Sequence, residues 1–251
     1  MARRNSPDGR GRNGGAPSTA TERADDGAAV QPGVAVVDDD PGLRDALGGL
    51  LSSIGLRVQA FSSAQETLSR LRPDRTNCLV LDVRLPDRSG FELHEDLTRA
   101  NIALPVIFIS GYADVRLSVR AMKAGAVDFL EKPFAAQELL DAVQIAIRRD
   151  QARRENDRIV AVLQARFNSL TAREQEAMTY VVGGRRNKAI AGHMGVTEIT
   201  VKAHRNHAMK KMGARSLAEL IGMAQLLGHE HAQAFLLLPS ELTSLKGGRP
   251  S

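Results

Sequence analysis

The 251-residue chain has no tryptophan, two tyrosines and a single cysteine. One thiol excludes an internal disulfide, and the place of Cys78 inside an apolar run reads as a buried core residue in a reducing cytoplasm. Long hydrophobic runs are missing too. Although 43% of the residues are hydrophobic, no run approaches the roughly 18 residues that a membrane-crossing helix needs. The stretch 1–32 has neither the apolar centre of a secretory signal nor any hydrophobic periodicity. It is rich in Gly, Ser, Asp and Arg, including Arg3, Arg4, Arg10 and Arg12, and is expected to be a disordered basic tail.

Charge is plentiful but unevenly spread. Residues 33–147 carry twelve basic and sixteen acidic side chains, whereas 168–228 carry nine basic and four acidic ones. An acidic module is thus followed by a basic one, and the asymmetry points to nucleic acid as the partner of the second.

In the acidic part five short apolar runs recur: VAVV (34–37), RVQAF (57–61), CLVL (78–81), PVIFI (105–109) and VDFL (127–130). Amphipathic segments separate them, so the pattern reads βαβαβαβαβα and predicts a parallel sheet covered on both faces. Asp40-Pro41 marks the first helix start, Asp as the cap and Pro at the first helical position, and Gly55 marks its end. Beyond Ile147 the apolar stripe lapses over RRDQARRENDR (148–158), which has no Gly or Pro and is expected to be a charged helical linker over 149–165.

The runs end in a chemically consistent set: Asp38-Asp39-Asp40, Asp82, Ser110 and Lys132. In an open parallel sheet the functional crevice lies at the carboxyl ends of the strands, where these side chains would meet. Carboxylates about 4 Å apart repel by ~1 kcal/mol in water and ~4 kcal/mol at an effective dielectric near 20, so a cation is needed to join them. All-oxygen ligands with room for water suit Mg²⁺.

The pieces VVDDD (36–40), LVLDVRLPDRSG (79–90), ISGYAD (109–114) and GAVDFLEKPF (125–134) resemble the receiver domain of two-component response regulators, over 33–148. The resemblance implies a flavodoxin-like, doubly wound five-stranded fold. It makes Asp82 the phosphoacceptor, with Ser110 and Lys132 as its catalytic partners. Asp39 and Asp82 would bind Mg²⁺ directly, together with the backbone carbonyl of Arg84, and Asp38 through a water. Ser110 and Phe129 take the switch positions, and Lys132-Pro133 the place of a cis peptide.

The basic part opens at Thr171, whose spacing from Glu174 is that of a capping box. Helices over 172–182, 187–194, 198–212 and 216–227 are predicted, joined by Gly-containing turns, as in a helix-turn-helix core. In the third, Ile199, Lys202, Ala203, Asn206 and Lys210 share an outer face, a mixture suited to base edges and phosphates. With LTARE and ARSLAEL the stretch resembles the LuxR-type four-helix DNA-binding domain, over 166–230, and the whole chain a NarL/FixJ-type regulator. By that resemblance Lys202, Ala203 and Asn206 face bases, while Lys188, Thr200, His204 and Arg205 lie near the DNA backbone. The tail 231–251, with Pro239, Gly247, Gly248 and Pro250, is expected to be flexible.

The resemblance implies a cytoplasmic regulator without membrane attachment, phosphorylated by a sensor histidine kinase and binding double-stranded DNA as a phosphorylation-dependent homodimer, with RNA polymerase a further candidate contact. It would be no enzyme beyond transferring a phosphoryl group to its own Asp82. Two rivals predict different behaviour. A Mg²⁺-dependent phosphatase would turn over small phosphate esters, and a receiver acting by protein contact alone would not bind DNA.

Overall fold

Strand and helix follow each other through the first half of the chain, in a computed structural model that describes residues 31–112 and 115–236. The strands are β1 (Gly33–Val37), β2 (Arg57–Phe61), β3 (Cys78–Asp82), β4 (Val106–Ser110) and β5 (Asp128–Glu131). Between them lie α1 (Pro41–Ser53), α2 (Ala64–Arg70), α3 (Gly90–Arg99) and α4 (Val115–Lys123), with a 3-10 turn at Pro73–Arg75. The sheet is parallel, in the order β2-β1-β3-β4-β5, which is the expected flavodoxin-like arrangement.

Because side chains alternate along a strand, the buried strands feed two cores. Val34, Val36, Cys78, Val80, Ile107 and Ile109 pack with Leu47 and Leu51 of α1 and with Leu139 and Val143 on one side. Ala35, Val37, Leu79, Leu81 and Phe108 pack with Phe91, Leu93 and Leu97 of α3 on the other. Cys78 is completely buried, and desolvation pushes its thiol pKa well above the ordinary value, with the charge of Asp150 adding to it.

Local chemistry sets the helix ends. Asp40 accepts from the N–H groups of Gly42 and Leu43, and Pro41 opens α1. Asp87 caps α2 from a distance, accepting from the N–H groups of Ala64 and Gln65, which ties the loop after β3 to α2.

α5 runs without interruption from Ala136 to Asn168, through the whole stretch expected to be a linker. Then come α6 (Ala172–Val182), α7 (Asn187–Met194), α8 (Glu198–Met212) and α9 (Leu217–Leu236). Thr171 and Glu174 form the capping box at the start of α6. Gly195, between α7 and α8, has φ 66°, a left-handed conformation that costs glycine little. The helices share a core of Leu163, Met178, Val181, Ile190, Met194, Val201, Met212, Leu220 and Leu227.

The expected N-terminal tail lies outside the described residues except for Gln31 and Pro32. At the other end α9 reaches Leu236, into the tail expected to be flexible from 231. Between Gly228 and Pro239 the sequence holds no helix breaker, so the helix has no local reason to stop sooner. The rest of that tail also lies outside the described residues. Among the described residues no helix is long and apolar enough to cross a membrane.

Candidate functional site

Parallel pairing brings the ends of three central strands together. Val37 pairs with Leu81 and Asp82 with Ile109, so the residues that follow β1, end β3 and end β4 lie side by side. Asp38, Asp39 and Asp82 each offer a carboxylate oxygen within 4.8 Å of the others, the one such acidic group among the described residues. Asp38 is fully buried and Asp82 nearly so, while Asp39 faces solvent.

A side-chain cation lies between the two buried carboxylates. Lys132 Nζ lies 2.5 Å from Asp38 Oδ2 and 2.6 Å from Asp82 Oδ2. The other oxygens accept backbone N–H groups, Asp38 Oδ1 from Asp40 at 2.9 Å and Asp82 Oδ1 from Arg84 at 2.8 Å. Burial raises the Asp38 pKa, the hydrogen bond from Lys132 opposes that, and the charge of Asp82 is the smallest contributor. For Lys132, burial disfavours the ammonium, but hydrogen bonds to Asp38 and Asp82 outweigh it and raise the pKa.

Ser110 is fully buried at the end of β4, and its hydroxyl both donates to the Tyr112 carbonyl (3.1 Å) and accepts from the Tyr112 N–H (3.2 Å). Phe129 is half-buried in β5, packed against the core that contains Phe108. Lys132-Pro133 is a cis peptide. Three further features shape the pocket, and the two arginine contacts among them have no sequence signal, because they pair side chains with a distant carbonyl or ring. Arg44 of α1 donates to the Asp38 carbonyl at 2.6 Å, the Arg84 guanidinium lies 4.3 Å from the centre of the Tyr112 ring, and Gly90 abuts β3. A Cβ at Gly90 would fall 2.1 Å from the Asp82 carbonyl oxygen, so any other residue there forces the backbone to shift.

The second candidate surface is α8. Val201, Ala208 and Met212 are buried against the other helices, whereas Ile199, Lys202, Ala203, Asn206 and Lys210 are exposed. Ile199 is 82% exposed, on the face opposite the buried Val201, Ala208 and Met212. Lys188 on α7 is exposed, and Thr200, His204 and Arg205 are half-buried. The Thr197 hydroxyl caps α8 by accepting from the Thr200 N–H.

An acid pocket at the edge of a flavodoxin-like sheet, followed by a helix-turn-helix with a polar outward face, defines the class of DNA-binding response regulators. Comparison with known proteins bears on the family. Residues 34–144 match the response regulator receiver domain, and 168–224 match the bacterial regulatory proteins of the luxR family. Nodulation protein W of Bradyrhizobium diazoefficiens is 54% identical over 195 residues, 78% of this chain and 86% of that protein. The transcriptional regulatory protein FixJ of the same organism is 38% identical over 193 residues, 77% of this chain and 94% of that one. The solved structure of response regulator StyR superposes with a TM-score of 0.69 at 44% identity, covering 78% of this chain and 98% of StyR. The chain belongs to the response regulators that join a receiver to a LuxR-type DNA-binding domain.

Proposed function

We propose that Asp82 is the phosphoacceptor for a sensor histidine kinase, and that its phosphorylation governs binding of double-stranded DNA by α8. The observation that carries this reading is the position of Lys132, one ammonium hydrogen-bonded to both Asp38 and Asp82 at the sheet edge. In the transfer, an Asp82 carboxylate oxygen attacks the phosphorus of the kinase's phosphohistidine. The O–P bond forms as the P–N bond breaks, and the imidazole leaves. Lys132 then faces the new phosphoryl oxygens, and the Ser110 hydroxyl gives up its bond to Tyr112 to reach one of them.

The donor set fits a hard divalent cation: carboxylates close enough to share one ion, with solvent access at Asp39. Asp39 and Asp82, the Arg84 carbonyl, and Asp38 through water would hold Mg²⁺. When bound, it supplies positive charge to the phosphoryl oxygens.

On α8, Lys202, Ala203 and Asn206 take base-facing roles, with Thr200, His204 and Arg205 of the same helix and Lys188 of α7 near phosphates. One such helix covers a half-site, so the phosphorylated protein acts as a homodimer. We assign 33–148 to the receiver, 149–165 to a helical linker and 166–230 to the DNA-binding domain, in a cytoplasmic protein with RNA polymerase as a further candidate partner.

The test is incubation with Mg²⁺ and a small acyl-phosphate donor, with mass-spectrometric mapping of the modified residue. Wild type is expected to carry one phosphoryl group on Asp82, and Asp82→Asn none. Label retained in Asp82→Asn would overturn the assignment.

A further inference from the structure

Asp150 is a fully buried acid for which the pocket at the other end of the sheet has no use. It sits on α5 just past Ile147, the last apolar residue that α5 gives to the sheet core. Its carboxylate accepts from Asn77 Nδ2 (2.8 Å), Arg153 (2.6 Å) and Arg154 Nε (2.5 Å). Arg154 also donates to the carbonyls of Pro73 (2.7 Å) and Thr76 (2.6 Å), and Asn77 Oδ1 accepts from the Gly33 N–H (2.9 Å). One carboxylate thus binds α5 to the starts of β1 and β3.

The far end of α5 is held as well. Leu163 and Phe167 pack into the helical core, Arg166 donates to the Met212 carbonyl at the end of α8 (3.0 Å), and Lys211 donates to the Ser169 carbonyl (3.3 Å). Between Arg154 and the buried Val160 lie five exposed residues, 155–159, a span of about 7 Å at the helical rise. A helix polar on every side is marginal over long distances, but less than two turns between fixed ends is not.

We propose that Asp150 and Arg154 form a clip that makes α5 one rigid lever, fixing the rotational phase of the DNA-binding helices relative to the sheet. A flexible tether would confine the DNA-binding helices without orienting them. A clipped lever delivers any reorientation of α5 at the sheet directly to α8, through the Arg166 bond to its last turn.

The test has two arms, both on the full chain. In the first, amide hydrogen exchange is followed in the unphosphorylated protein. Amides of 152–158 are expected to be protected in wild type and to exchange at least about tenfold faster in Arg154→Gln and Asp150→Asn, while those of β3 and α8 keep their rates. Arg154→Gln leaves Asp150 paired with Arg153 and Asn77, so it reports even if Asp150→Asn does not fold. Unchanged exchange in Arg154→Gln, or unprotected amides in wild type, would overturn the clip.

The second arm rests on the phosphorylation reading above. One alanine inserted after Asn156 turns the helix by about 100°, whereas seven return it to within about 20° of phase. The probe is DNA selected from a random pool by the phosphorylated wild type. The gain in affinity on phosphorylation should vanish with one inserted residue and survive seven. Equal behaviour of the two insertions would overturn the lever. No gain in wild type would instead overturn the phosphorylation reading, and the exchange arm would still decide the clip.

Discussion

The Lys211 ammonium lies 2.6 Å from the carboxylate of Glu174, joining the last turn of α8 to the first turn of α6. Hydrogen bonds from Lys211 and then the Thr171 N–H hold the Glu174 pKa at about 2, against an ordinary 4.5. His207 also faces this carboxylate, at 3.7 Å. A folded-state pKa below the unfolded one favours the folded state when the group is ionised. The contribution is therefore complete above the ordinary 4.5 and is lost as pH falls toward 2. Thermal melts over that range should show Glu174→Gln less stable than wild type near neutrality, with the gap closing as acid is added. A gap that stayed constant to the lowest pH would contradict the pairing. Thr171→Ala, which removes the reciprocal cap, should cost ~1 kcal/mol at neutral pH.

Gly90 predicts a steric failure. Because a Cβ there would sit 2.1 Å from the Asp82 carbonyl, Gly90→Ala must push α3 away from the end of β3. The expected loss is about 1–3 kcal/mol, with slower phosphorylation from the displaced Asp82. Urea unfolding together with the rate of acyl-phosphate labelling checks both. Wild-type values for the pair would mean that the helix yields without cost.

The pocket predicts an order of metal affinities. Asp39 is open to solvent, whereas Asp38 is buried and already engaged by Lys132 and the Asp40 N–H. Asp39→Ala should weaken Mg²⁺ binding more than Asp38→Ala does in a calorimetric titration. Equal affinities would remove the distinction. In Lys132→Ala the two buried carboxylates lose their shared cation, so added Mg²⁺ should raise the melting temperature more than in wild type.

For DNA, a well-placed base contact is worth ~1–3 kcal/mol of discrimination. Asn206→Ala should relax preference at particular operator positions and leave the salt slope nearly unchanged. Lys188→Ala should weaken all sequences alike and reduce that slope by about one unit. Affinities over a salt series on selected and scrambled DNA separate the two. If Asn206→Ala weakened both DNAs equally, the outward face of α8 would need reassignment.

The strand ends, the Asp40 and Thr171 caps and the two faces of α8 were legible because each is written within a few residues. An apolar run, a cap and a helical stripe are local patterns. The bonds of Asp150 were not legible. Asn77 lies 73 residues from it in sequence, and a lapse in the apolar stripe reads as solvent whether or not an arginine folds back over it. The acid trio reads as a Mg²⁺ site with Lys132 at the same edge, but the direct contact of the Lys132 ammonium with both buried carboxylates was not legible. The Arg166 bond to the end of α8 is of the same kind, since nothing near position 166 names Met212 as its partner.

The solitary Cys78 has a practical consequence. Its thiol is enclosed by the sheet and held protonated by burial, so it lacks the exposed thiolate that alkylating reagents attack. A cysteine introduced at an exposed position such as Asn156 would label with a maleimide dye against a silent native background. Fluorescence reporters can therefore be placed on α5 or α8 without first removing the protein's own thiol.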